Sequence, residues 1–313
     1  MAKIPVFVVH GFLESGKTRF VQETLADDYF SGGERNLVIA CEEGVEEYED
    51  ELLQKTNTTL VVLEDKSEFN EMFLAECQKK YKPTQIIVEY NCMWGLDYLR
   101  EMYMPKGWFV AQVITTVDAT TFDVYLKNMK SLFMEMAKDS DLIIFNRSTD
   151  ETPAATYKRN MRAVNPKAQV VFEKEDGSQL EFEEEMPFDI NADVIEISDV
   201  DYGIWYIDAM DHPEKYDGKT MRFKAMAYTG GRLPKGYFVP GRMAMTCCAD
   251  DTAFIGFLCK SAYVDRIKSK QWLTVTAKAH IEKRAEYSGQ QGLVLQSTNI
   301  KSAEKPEEEL VYF

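Results

Sequence analysis

The stretch Ile4-Pro5-Val6-Phe7-Val8-Val9-His10-Gly11-Phe12-Leu13-Glu14-Ser15-Gly16-Lys17-Thr18 decides the reading of the first half of this chain. Ile4–His10 is a β-branched, nearly continuous apolar run, the pattern of a strand buried on both faces. Gly11–Thr18 fits G-x-x-x-x-G-K-[ST], and a helix-like stretch, Lys17–Asp27, follows at once. Strand, glycine loop and helix in that order are the setting a phosphate loop needs. Gly11 and Gly16 let the backbone turn tightly. The amides from Glu14 through Ser15 and Gly16 to Thr18 then face one concavity and bind phosphate oxygens. Lys17 is expected to reach the β- and γ-phosphates, and the Thr18 hydroxyl to ligate Mg²⁺. Glu14 is an unusual acidic choice so near phosphates; contact with Mg²⁺-bound water and weakened binding are both open.

Outward from this loop the same alternation continues. Asn36–Ala40, Thr59–Leu63, Gln85–Glu89, Phe109–Val117, Asp141–Phe145 and Gln169–Phe172 read as strands. Ser67–Tyr81, Phe122–Lys138 and Ala154–Val164 read as helices between them. Strands alternating with helices predict an α/β domain, a parallel sheet with helices on both faces, over residues 1–172. Residues 173–216 are acidic and turn-rich and read as a connecting segment. From residue 217 to 313 the pattern changes to short alternating strands: Met221–Tyr228, Tyr237–Met245, Trp272–Ile281 and Gly292–Ile300. Several such strands in a short span predict a small antiparallel β-barrel of the OB type.

Composition sets the outer limits. The chain has 313 residues, 45% hydrophobic and 28% charged, the range of a folded globular protein. No apolar run reaches the ~18 residues of a membrane-spanning helix, and the apolar opening is too short for a signal peptide. A cytoplasmic protein without direct membrane insertion is expected. Six cysteines are too few for a disulfide framework in a chain of this length. The net charge is −16, unevenly spread: residues 1–216 hold 21 Lys and Arg against 42 Asp and Glu, residues 217–313 hold 15 against 10. The acidic part repels nucleic acid. The basic part carries strand aromatics such as Tyr228, Tyr237 and Trp272, which are more often core than a stacking platform, so nucleic acid is not the expected partner.

The ordered set HGFLESGKT, CEEGVEEYEDELL, IIVEYN, TTVDATTF and DLIIFNRSTD resembles that of the CobW-type P-loop GTPases over about residues 3–170. Several of those proteins act as metal chaperones. The resemblance implies further site residues. Glu42, in Cys41-Glu42-Glu43-Gly44, matches an acidic residue near the metal and γ-phosphate; it also begins a run in which seven of the ten residues 42–51 are acidic. Glu89 matches the acid of the Glu-x-x-Gly element and would orient water or the Mg²⁺ shell. Cys92 stands where that element has its glycine. Asp118 resembles a family position, but reads more readily as a helix cap. Asn146 and Arg147 match the first two residues of Asn-Lys-x-Asp, which hold a guanine base. The fourth position is Thr149, and Asp150 comes one residue late. Either Asp150 reaches the base through a bulge, or the preference for guanine is relaxed; GTP is the leading nucleotide and ATP the runner-up.

The Cys-x-Cys-Cys of the CobW-type chaperones has no counterpart in Leu60–Lys66. The alternative soft-ligand pair is Cys247-Cys248, followed by Asp250 and Asp251, a speculative Zn²⁺ site. Alternating strand residues face opposite sides, which argues for a small pair at a strand end instead. Gly241–Gly256 resembles part of an uncharacterised C-terminal domain that accompanies bacterial permease-like subunits. These resemblances imply a Mg²⁺-dependent GTP hydrolase coupled to a protein partner, a metalloprotein client or a membrane transport subunit. The alternative is a non-hydrolysing or ATP-binding adaptor of a transport system, with the barrel as the partner-binding module.

Overall fold

The computed structural model describes residues 3–42, 44–182, 186–231, 233–245 and 252–311. Contacts divide it into two compact units: Met1–Ala154 with Val164–Phe182, and Ala155–Ala163 with Glu183–Phe313.

The first unit is built on β1 (Ile4–Gly11), β2 (Asn36–Ala40), β3 (Thr58–Val62), β4 (Gln85–Asn91), β5 (Trp108–Asp118), β6 (Leu142–Asn146) and β7 (Gln169–Phe172). They form one seven-stranded sheet in the order β3-β2-β4-β1-β5-β6-β7. Every neighbouring pair is parallel. The expected α/β sheet is therefore present. The apolar runs of β2 and β4 are buried almost end to end because both faces are covered. One core gathers Val6, Val8, Ile39, Val88 and Phe69; another gathers Val9, Val21, Leu25, Val38 and Ile87. The chain leaves β1 towards β2 on one side and leaves β4 towards β5 on the other, so a topological switch point lies beside β1. Ligands of open α/β sheets bind outside the carboxyl ends of the strands at such a point.

Two helices differ from the periodicity. The span Phe122–Lys138 is two helices, Phe122–Asn128 and Lys130–Lys138, broken at Met129. The Asn128 amide donates back to Val124 O at 2.7 Å, a local bond that competes with helix continuation. The span Ser67–Tyr81 begins its α-helix only at Glu71, where the Asn70 side chain accepts from Phe73 N.

In the second unit, β8 (Ile195–Glu196) and the helix Tyr202–Asp211 precede β9 (Thr220–Tyr228), β10 (Tyr237–Met245), β11 (Thr252–Gly256), β12 (Leu258–Lys260), β13 (Trp272–Lys283), β14 (Gln291–Ser302) and β15 (Leu310–Val311). Five strands close on themselves: β9–β10, β10–β12, β14–β13 and β13–β9 are antiparallel, and β12–β14 is parallel. The barrel expected from the alternating pattern is there, with alternate residues Met221, Phe223, Ala225 and Ala227 of β9 turned inward. Its core also takes Tyr202, Trp205 and Ala209 from the helix. The residues read as a connecting segment thus divide: those up to Phe182 belong to the first unit, and the Tyr202–Asp211 helix belongs to the core of the second. Its sequence, YGIWYIDAMD, is apolar nearly all round and no residue of it is exposed, so no amphipathic period marks it as a helix.

Candidate nucleotide site

Gly11–Thr18 joins the end of β1 to helix α1 (Lys17–Ala26) at the carboxyl edge of the sheet. Gly16 caps α1 with φ 89°, and Glu14 sits at φ 60°. The loop is held from below by the neighbouring strands. Ser15 Oγ is 2.8 Å from Thr116 Oγ1 on β5, and the Asn146 amide at the end of β6 donates to Ser15 O at 2.7 Å. A Cβ on Gly16 would lie 2.4 Å from Asn146 Nδ2. Gly16→Ala is therefore expected to destabilise the protein by about 1–3 kcal/mol, from a left-handed φ and a displaced amide. An unchanged urea midpoint in that variant would contradict this packing.

The charged groups converge on one cavity of about 260 Å³ lined by Glu14, Gly16, Lys17, Thr18, Glu42, Glu89 and Arg147. Lys17 is only 3% exposed; its ammonium donates to Phe12 O at 2.8 Å and Gly11 O at 3.3 Å, and it pairs with Glu42. Thr18 Oγ1 donates to Glu89 Oε1 at 2.8 Å. Tyr48, within the acidic run 42–51, donates to Glu89 Oε2 at 2.5 Å. Burial raises the Glu89 pKa above the usual carboxylate range, opposed by the hydrogen bonds from Tyr48 and Thr18 and by the charge of Lys17. The thiols of Cys92 and Cys77 are pushed up to about 11 by burial, and Cys41 is pushed up as well. These cysteines stay protonated and are poor metal ligands as they stand.

The hard oxygen donors fit Mg²⁺ better than a soft metal. The buried Thr18 hydroxyl and Glu89 carboxylate lie together, with Glu42 on the same cavity. Among the described residues no group of three or more His, Cys, Asp or Glu is placed to hold a metal by itself. Cys247 and Cys248 lie outside the described residues. Cys259 on β12 is buried, its thiol pushed up to about 12 by burial.

Behind the loop, His10 is fully buried, with Nε2 2.8 Å from Thr115 Oγ1. Burial, and then the charge of Lys17, lower its pKa to about 3. The folded protein keeps His10 neutral, whereas the unfolded chain takes up a proton near pH 6.5. Its contribution is complete above that value and falls as pH drops towards 3, by roughly 2 kcal/mol at pH 5. Denaturation from pH 7 to pH 5 is expected to show that slope, and His10→Gln to flatten it.

The residues meant for the base are arranged differently. Arg147, at φ 52°, donates to Asp118 Oδ2 at 2.6 Å and to Glu14 O at 3.2 Å, so it clamps the phosphate loop to the end of β5. Asp118 also closes a turn, accepting from Thr120 N at 2.8 Å; the adjoining helix takes Thr121 as its N-cap. Asp150 is 84% exposed at its side chain and pairs with Lys174 at 2.8 Å. It lines neither this cavity nor the cleft beside Asn146. Sequence reasoning missed Tyr48 and Thr116. Tyr48 carried a weak signal, an aromatic set inside an acidic run; Thr116 carried none beyond its place in a strand.

The sequence matches the family model of the CobW/HypB/UreG nucleotide-binding domain over residues 5–172, and that of the DUF1980 C-terminal domain over residues 172–313. Among solved structures, the Zn(II)-bound YjiA GTPase from E. coli is 17% identical, with 58% of this chain and 60% of that chain covered and a TM-score of 0.44. The hydrogenase maturation factor HypB from Archaeoglobus fulgidus is 16% identical, over 56% of this chain and 84% of that chain, with a TM-score of 0.41. The S. cerevisiae mitochondrial single-stranded DNA-binding protein Rim1 is 13% identical, over 28% of this chain and 97% of that chain, with a TM-score of 0.19. No curated protein matches the sequence. Among the described residues no helix is long and apolar enough to cross a membrane.

Proposed function

The chain belongs to the CobW/HypB/UreG nucleotide-binding family, and from that premise we propose that it is a Mg²⁺-dependent nucleoside triphosphate hydrolase, with GTP its preferred substrate. The observation that carries this reading is the buried contact of Thr18 Oγ1 with Glu89 Oε1 at 2.8 Å beside the ammonium of Lys17. A hydroxyl, a carboxylate and an ammonium then border one cavity at the mouth of the phosphate loop.

The loop amides and Lys17 hold the β- and γ-phosphate oxygens. Bound Mg²⁺ supplies charge neutralisation on those oxygens, with Thr18, Glu89 and Glu42 as the residues that would hold it directly or through water. Glu42, paired with Lys17, would be free to take this role once the ammonium turned to phosphate. Glu89 Oε2, oriented by Tyr48, positions the attacking water. The chain itself contributes positioning and fixed charge, the main sources of catalysis in phosphoryl transfer.

The nucleotide state is read by a protein partner in metal handling or transport. The C-terminal five-stranded barrel serves as the partner-binding module. A second reading, a nucleotide-binding adaptor without turnover, has one observation in its favour: Asp150 is engaged by Lys174. Phosphate release with Mg²⁺ and either GTP or ATP separates the two. Sustained release supports the hydrolase. No release with either nucleotide, alongside measurable binding, leaves the adaptor.

A further inference from the structure

The Asn-Lys-x-Asp position that reads guanine in this family is filled by Thr149, and Thr149 is committed to its own turn. Its backbone N–H donates to Thr152 Oγ1 at 2.9 Å, and its hydroxyl accepts from Glu151 N at 3.3 Å. Asp150 points outward to Lys174. A different carboxylate stands beside Asn146. β6 and β7 run parallel with Phe145 opposite Phe172. The residue after β7, Glu173, continues this register: its N–H donates to Phe145 O at 2.8 Å, and its C=O accepts from Ser148 N at 2.8 Å. Glu173 and Asn146 therefore lie side by side at the carboxyl edge of the sheet, and both line one cleft with Gly16 and Phe20 of the loop–helix junction.

We propose that Glu173 is the specificity-determining carboxylate of the nucleotide site, accepting the N1–H and 2-amino hydrogens of a guanine base in the place left by Thr149 and Asp150.

The inference rests on the nucleotide-binding reading above and names the base. Asn146 spends one amide hydrogen on Ser15 O, which ties it to the phosphate loop; the second serves the N7 acceptor that any purine offers. Discrimination then falls to Glu173. Guanine presents two donors on its Watson–Crick edge; adenine presents the N1 acceptor there, which repels a carboxylate. The Glu173 carboxyl is half-buried, and burial raises its pKa, with Glu23 adding to the rise and Arg19 opposing it. A partly desolvated carboxylate gains from two ligand donors. The turn that carries it is braced: Lys174 N donates to Ser178 O at 2.8 Å, and Arg19 donates to Glu175 O at 2.8 Å and Glu175 Oε1 at 3.1 Å. Such bracing holds a specificity group in place before the ligand arrives.

The test is calorimetric binding of GDP, IDP, XDP and ADP with Mg²⁺ to the full chain and its Glu173→Gln, Asp150→Ala and Lys17→Ala variants. The wild type is expected to bind GDP about a hundredfold tighter than ADP, and IDP, which lacks the 2-amino group, about tenfold more weakly than GDP. Glu173→Gln is expected to lose about a hundredfold for GDP and to bind XDP better than GDP, because its amide donates to the xanthine 2-oxo group. That gain cannot come from misfolding. Asp150→Ala is expected to leave all four within about twofold. The proposal is overturned if Glu173→Gln binds GDP as the wild type does, or if Asp150→Ala removes the preference. Equal wild-type affinity for GDP and ADP, both lost in Lys17→Ala, overturns the proposal and leaves the phosphate-loop reading standing. No binding of any nucleotide by the wild type defeats both.

Discussion

Lys17→Ala is expected to reduce nucleotide affinity by at least about a thousandfold, to the point where calorimetry at millimolar ligand sees no heat. The ammonium is only 3% exposed and already sits against the loop carbonyls of Phe12 and Gly11 and the carboxylate of Glu42. Two charge-assisted bonds to phosphate are each worth about 1.5–3 kcal/mol, and both are lost in the variant. A second penalty comes from Glu42, left without its cation beside an incoming polyanion. Glu42→Gln in the same background removes that repulsion and is expected to recover part of the loss, which separates charge from packing. A Lys17→Ala protein that melts like the wild type and binds GTP as well would remove the phosphate loop from the account.

Glu89→Gln is expected to lower turnover by about 10²–10⁴ while changing nucleotide affinity only a few-fold. Glutamine keeps an acceptor for Thr18 and the volume of the buried site, so the change falls on charge and on water orientation. The pH profile gives an independent reading. Burial holds the Glu89 pKa above the ordinary carboxylate range, so activity is present above that raised value and is lost as pH falls through it. Tyr48 donates to Oε2 at 2.5 Å and favours the ionised form. Tyr48→Phe is expected to move the acidic limb of kcat further up in pH. An unmoved limb would mean that Tyr48 only fills space.

Much of this protein is legible in its sequence. The phosphate loop is a local device: two glycines, a lysine and a threonine at fixed spacing after a buried strand, needing no distant residue to be recognised. The strands of the first unit were equally plain, because burial on both faces demands unbroken apolar runs such as Gln85–Glu89. The helix Tyr202–Asp211 was not, since it is apolar nearly all round and buried or half-buried along its whole length, which leaves no one-sided period to read. The break at Met129 escaped for a different reason. Apolar spacing continues across it, and the competing bond from Asn128 to Val124 O is invisible to periodicity.

Chain-local chemistry, then, determined that this protein carries a phosphate loop on a parallel sheet and an alternating β-unit after it. Which carboxylates serve that loop was decided in three dimensions. Thr18 meets Glu89 across 71 residues, Tyr48 meets it across 41, and Arg147 finds Asp118 across 29. Parallel strands bring their carboxyl ends to one edge whatever the length of chain between them, so residues distant in sequence become neighbours there. Thr149 and Asp150 show the converse. They keep nearly the right spacing from Asn146, yet short-range bonds turn them away, and the strand next door puts Glu173 beside the cleft.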